Sequence, residues 1–157
     1  MIEPQEKFMR IAIEEALKSK ELGDYAVGAC IVHNDKVIAK SGNRTHLDQD
    51  PTHHAEVIVI RQAAKILGRK NLHDCVLYVT HEPCPMCASA TIWARVNGVV
   101  SGAKMEDMAE FAKKNGNDDW RWRTISIPAI TIFQSGEPKI IFVEEFLRDE
   151  CKNLFHS

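Results

Sequence analysis

His54-Ala55-Glu56 is followed, 27 residues beyond Glu56, by Pro83-Cys84-Pro85-Met86-Cys87, and the reading of these two stretches decides the rest of the 157-residue chain. Cys84 and Cys87 stand three positions apart, so a helix opening near Pro83 brings both sulfurs to one face of its first turn. Pro83 suits a first helical position, where its missing N–H has no intrahelical partner to lose. The partial positive charge of a helix N-terminus favours thiolate over thiol. Two thiolates and the neutral imidazole of His54 then form a three-ligand set for one zinc ion per chain. The fourth tetrahedral position is left to water, which is the catalytic arrangement. Glu56 lies two residues beyond His54 at a helix start, and residues at that spacing do not share a helix face. It is therefore expected beside the water, as a carrier of protons from the water to a leaving amine. Two other readings use the same cysteines. A structural zinc takes a fourth ligand from Cys75, His53, His73 or His81. A redox C-x-x-C pair belongs best in a thioredoxin-like βαβ setting.

The H-x-E…P-C-x-x-C order is the signature of zinc deaminases that act on nucleobases, and the residues around it resemble the cytidine-deaminase-like superfamily from about Met9 to Lys104. Asp50-Pro51-Thr52-His53-His54-Ala55-Glu56 resembles the first zinc segment of bacterial guanine deaminases and tRNA adenosine deaminases. Leu77 to Cys87 resembles the second. Gly42-Asn43-Arg44 falls where these families place a base-binding asparagine. The resemblance implies a three-layer α/β/α fold with a central mixed five-stranded sheet, forming a single deaminase domain over 1–157. It also implies a homodimer built on the helices of the zinc segments, and substrate contacts from Asn43, Ala55 and Trp93. Asn117-Asp118-Asp119 is similar to the acidic pair that contacts the purine amine in guanine deaminases, which nominates Asp118 and Asp119. The C-terminal Phe146 to Cys151 is instead similar to the last helix of tRNA adenosine deaminases. Met105 to Glu110 replaces a Gly-Ala-x-Gly-Ser stretch common in that branch.

Composition points the same way. Hydrophobic residues make up 45% of the chain, enough for an ordinary globular core. No 18-residue apolar run is present, so no spanning helix and no membrane partner are expected. Met1 to Glu6 lacks the basic and apolar regions of a signal peptide. Five cysteines, an odd number, suit a reducing cytoplasmic setting, with Cys30 and Cys75 reading as packed core thiols. The net charge of −2 favours a small nucleobase or nucleoside over nucleic acid. Lys113, Lys114, Arg121 and Arg123 are interleaved with acids and read as a solvated, mixed-sign face. The favoured reading is thus a hydrolytic, guanine deaminase-like enzyme. A tRNA-specific adenosine deaminase is the alternative, with a cytosine- or cytidine-type enzyme beside it. A silent subunit that keeps zinc only for stability is expected to lose the glutamate, and Glu56 is present.

The periodicities predict a helix after Pro4 that ends near Gly23, and a strand over 26–32 turning at Asn34-Asp35 into a partner from Val37. A second helix begins near His53 and buries Val57, Ile60, Ala64 and Leu67, with Gly68 at its end. Strands follow at 75–79 and around Val99-Val100, with the Pro83 helix to about Arg95 between them and a helix over 105–114 after. A fifth strand is predicted over 127–133 and a last helix over 143–155, with Leu147, Cys151 and Leu154 on one face. Strands alternating with helices argue a layered α/β fold. Trp93 reads as either a core tryptophan or a base-stacking one. Trp120 and Trp122 are candidates to cover the pocket or anchor a dimer. His81 lies in the loop that must run beside the metal.

Overall fold

The computed structural model describes residues 1–156. Its elements in chain order are α1 (Glu6–Glu21), β1 (Gly28–His33), β2 (Lys36–Gly42), α2 (Ala55–Leu67), β3 (Cys75–His81), α3 (Pro85–Trp93), β4 (Gly98–Ala103), α4 (Met105–Asn115), α5 (Ala129–Ser135), β5 (Ile141–Val143) and α6 (Arg148–His156). The sheet order is β2-β1-β3-β4-β5. β1 runs antiparallel to both β2 and β3, whereas β3, β4 and β5 are mutually parallel, so the sheet is mixed as expected.

Each face of the sheet carries its own core. On one side Phe8, Met9, Ala12 and Ala16 of α1 meet Cys30, Tyr78 and Val100, together with Met108 of α4 and Cys151 and Leu154 of α6. On the other, Val59 and Ala63 of α2, Ala88 of α3 and Ala129 and Phe133 of α5 meet Ala29, Ile31, Leu77, Val79 and Val99. The strands read as near-continuous apolar runs because both faces are covered. Glycine permits the tight seat of α1. A Cβ on Gly28 would overlap the Ala12 carbonyl, and one on Gly42 would overlap Ser19 Oγ. The β1–β2 hairpin turns at Asn34 (φ 49°) and Asp35 (φ 63°). These residue types tolerate the left-handed region that such a turn requires, so it closes without glycine.

Four sequence expectations are corrected. Residues 127–133 do not form the fifth strand. Pro128 instead caps α5, whose buried Ala129 and Phe133 stand at helical spacing, and the fifth strand is the shorter run β5. The β-branched content of Ile127 to Phe133 suggests a strand, but the i, i+4 pair is what packs on the core. The apolar stripe of α2 is rotated: Val59 and Ala63 are fully buried, while Val57, Ile60, Ala64 and Leu67 are only half-buried. The last helix begins at Arg148, so Leu147 (φ 53°) precedes it, while Cys151 and Leu154 are buried as expected. Finally, α3 opens two residues late. Cys84 is its N-cap, with an extended backbone (φ −69°, ψ 168°), and Pro85 takes the first helical position. A residue that precedes proline is pushed out of the helical region, and Cys84 precedes Pro85. Among the described residues no helix is long and apolar enough to cross a membrane.

Candidate active site

His54 is the N-cap of α2 and Cys84 the N-cap of α3, so two helix N-termini face one another across the end of the sheet. His54 Nδ1 lies 3.6 Å from Cys84 Sγ and 3.4 Å from Cys87 Sγ. Tetrahedral zinc with bonds of about 2.3 Å to sulfur and 2.0–2.1 Å to nitrogen separates those atoms by about 3.5 Å. The three residues therefore already stand at ligating distance, and they form a group able to hold a metal ion. None of the four alternative fourth ligands, Cys75, His53, His73 and His81, belongs to that group. Cys75 is instead sealed in the core, where burial pushes its thiol up to about 11. Burial likewise pushes Cys30 up to about 12.

The electrostatics prepare one thiolate before any metal arrives. The hydrogen bond from Cys87 outweighs burial and, together with His54, holds Cys84 down to about 4. The same pairing and burial push Cys87 up. Burial works against a charged His54, but hydrogen bonding to Cys84 and the nearby Glu56 carboxylate raise it overall. Glu56 is 4% exposed, and burial raises its carboxyl above the ordinary range. It is the second residue of α2 and is not a member of the metal group.

A cavity of about 70 Å³ opens beside this group, and its wall includes Asn43, His54, Glu56, His81, Cys84 and Trp122. Asn43 is buried and rigidly held. Its Nδ2 donates to Asp24 Oδ1 (2.7 Å) and Thr45 Oγ1 (2.9 Å), which leaves the side-chain carbonyl as the group available to a ligand. Asp24 anchors that loop further by accepting from the backbone N–H of His46 and Leu47. Ala55 is fully buried between His54 and Glu56.

Three other nominated substrate residues fall elsewhere. Trp93 is 86% exposed at the end of α3, neither packed in the core nor in the cavity wall of its own chain. Asp118 is fully exposed and Asp119 is exposed, and neither lines the cavity. Their loop turns outward because Asn117 Oδ1 accepts from the backbone N–H of Asp119 and Trp120.

The cavity wall also holds Tyr25 and Arg123, which sequence reasoning did not select. Arg123 is not on a solvated face. Its guanidinium donates to the carbonyls of Glu82 (2.7 Å), Ile125 (3.0 Å) and Ile127 (2.9 Å), and stands 3.9 Å from the Glu82 carboxylate. That carboxylate accepts from the N–H of Met105 and Ala129. The pair thus ties together the loop before the cysteines, the start of α4 and the start of α5. Tyr25 and Trp122 close the mouth edge-to-face, 5.0 Å apart, and His46 stacks on Trp120 at 4.2 Å. Asp24 and Arg123 had no local signal, because a charged residue reads as solvated until its buried partners are known.

Fold and centre together define a three-layer α/β protein with a catalytic-type zinc site, in which three protein ligands leave one position open. The chain belongs to the family described as the cytidine and deoxycytidylate deaminase zinc-binding region, whose model matches residues 2–103. It is 46% identical over 98 residues to the tRNA-specific adenosine deaminase of Bacillus subtilis (strain 168), a match that covers 62% of this chain and 61% of that protein. It is 39% identical over 125 residues to the guanine deaminase of the same organism, covering 79% of this chain and 78% of that protein. Among solved structures, one from a study of A-to-I editing by tRNA:A34 deaminases at the wobble position of transfer RNA superimposes with a TM-score of 0.75 at 32% identity. That match covers 96% of this chain and 99% of the other.

Proposed function

We propose that this protein is a zinc-dependent hydrolytic deaminase of a 6-aminopurine, with adenosine in tRNA as its substrate. The observation that carries the reading is the make-up of the cavity wall, where Glu56 is the one carboxylate among the described residues. Guanine presents a ring N–H and an exocyclic amine, both donors, and needs a second carboxylate to accept them. Asp118 and Asp119 were the candidates and stand outside. Adenine has no N–H at the ring nitrogen next to its amine and does not require that acceptor. Relatives named as tRNA-specific adenosine deaminases support the same choice.

His54, Cys84 and Cys87 would hold the zinc ion, which would supply a Lewis acid that makes water nucleophilic near neutral pH. Glu56, buried beside that group, would carry a proton from the attacking water to the ring nitrogen beside the reacting carbon. It then moves a second proton to the departing amine, which leaves as ammonia while a carbonyl replaces it. Asn43, locked by Asp24 and Thr45, offers its carbonyl to the base and holds it in register. We further propose a homodimer built on α3, where Trp93 is 86% exposed; sedimentation of the zinc-loaded chain tests that assembly.

A second reading, a free nucleobase such as guanine, draws on the net charge of −2 and the aromatic cover over the cavity. An ammonia-release screen over tRNA, adenosine, adenine, guanine, guanosine, cytosine and cytidine separates the two. Release from tRNA with steep salt dependence is expected, because phosphate contacts release counterions. Turnover of guanine with none of tRNA or adenosine overturns the proposal.

A further inference from the structure

Two buried polar atoms have no hydrogen-bond partner among the described residues: Trp122 Nε1 and His81 Nε2. Both residues line the cavity that contains Glu56 and Asn43. Buried polar groups are paired as a rule, so an orphan on a residue that lines a cavity calls for a partner that is not protein. An indole nitrogen is a donor only. His81 is 7% exposed, and burial together with Arg123 holds its imidazole down to about 3. It is therefore neutral at physiological pH, and its free nitrogen belongs to an uncharged ring.

The backbone of Trp122 adds an independent observation. Its φ is 61°, in the left-handed region that a bulky residue adopts only when its surroundings impose it. The flanking contacts do impose it. Arg121 N–H donates to Tyr25 Oη at 2.9 Å, and Arg123 is fixed by its three carbonyl acceptors. The indole ring is clamped edge-on by Tyr25 at 5.0 Å and Phe111 at 4.9 Å. Phe155 contacts both orphan residues, 6.2 Å from Trp122 and 6.4 Å from His81, so the two belong to one stretch of wall.

We propose that Trp122 and His81 are a two-point specificity reader for the heteroaromatic base, in which Trp122 Nε1–H donates to a purine ring nitrogen other than the one bonded to the reacting carbon and His81 Nε2 pairs with a second polar atom of the same substrate. The proposal rests on the deaminase reading for its substrate class. It extends that reading to a stretch of wall that pairs His81 of the second zinc segment with Trp122 from outside both. A site built to hydrogen-bond one atom rejects the analogue that lacks it, because its own group is then left unpaired.

The test uses the zinc-loaded full chain and its Trp122→Phe, His81→Leu and His81→Gln variants, each first matched to wild type in zinc content and circular dichroism. The probes are adenosine, 7-deazaadenosine and 3-deazaadenosine, free and within an RNA stem-loop, with binding read by calorimetry and turnover by ammonia release. In wild type one of the two deaza compounds should bind about tenfold more weakly than adenosine. In Trp122→Phe, adenosine itself should weaken by about the same factor and the deaza penalty should vanish. His81→Leu should raise KM more than it lowers kcat, and His81→Gln should recover much of the loss. Unchanged adenosine binding in Trp122→Phe, or an undiminished deaza penalty in that variant, means that water alone fills these positions and overturns the reader. Wild type that binds none of the probes overturns it as well. Binding with the predicted discrimination but no ammonia from any base would instead sink the deaminase reading and leave the reader standing.

Discussion

Replacing Arg123 with methionine tests how far a single buried ion pair holds the site together. Methionine keeps most of the side-chain length and removes the charge. The Arg123 side chain is 2% exposed, so water does not replace what is lost. The carbonyls of Glu82, Ile125 and Ile127 lose their donor, and the 4%-exposed Glu82 carboxylate keeps only the N–H groups of Met105 and Ala129. Breaking one side of a buried pair costs about 3–5 kcal/mol, against a total stability of about 5–15 kcal/mol for a domain. With a urea m-value of about 2 kcal/mol/M, the unfolding midpoint should fall by roughly 2 M. Urea titration followed by circular dichroism reads this directly. The double variant Arg123→Met, Glu82→Gln should lose less than the sum of the single losses, since removing the carboxylate's charge relieves what Arg123→Met leaves unpaired. A loss below about 1 kcal/mol, or strict additivity, would refute the argument that this pair ties the cysteine loop to α4 and α5.

Glu56→Gln should keep its zinc, because Glu56 is not in the ligand group, and should lose at least about 10²–10⁴-fold in kcat; wild-type turnover with normal zinc content would place the proton carrier elsewhere. Chelation of zinc should lower the thermal midpoint of wild type, whereas Cys87→Ala should bind little zinc and show little further drop, since metal binding is coupled to folding; equal sensitivity to chelator in both would contradict the ligand assignment. Burial opposes the charge on Asp107, but Arg148 at 2.9 Å and the Lys104 N–H outweigh it and hold its carboxyl below the usual range. A lowered folded pKa contributes stability above the unfolded value of about 4 and loses it as pH falls through the folded value. Asp107→Asn should therefore lose stability less steeply than wild type below pH about 4, and parallel acid unfolding curves would refute the assignment.

The ligand set was legible because the Cys84–Cys87 spacing is local and the H-x-E…P-C-x-x-C order it belongs to resembles a known signature that adds His54. His54, Cys84 and Cys87 each cap or open a helix, and their spacing alone brings the sulfurs together. Glu56 was separable from the ligands by helix geometry, and the α1, β1, β3 and α4 positions followed from periodicity. Where the reading failed, a tertiary partner decided. The run from Ile127 to Phe133 has strand propensity but forms a helix, because Ala129 N–H is held by Glu82 and the Ala129–Phe133 pair packs on the sheet. Asp118 and Asp119 match an acidic pattern but point into solvent.

By itself the sequence pointed to the metal, to the Cys84–Cys87 pair within one turn, to His54 through the signature it resembles, and to the layered α/β class through repeats along single elements. Only the tertiary structure decided which side chains line the cavity beside the metal group. Tyr25 and Arg123 had no local signal, and they join His81 and Trp122 in the cavity wall only after the sheet forms. A lone charge or aromatic ring carries no information about its partner until the folded chain supplies one.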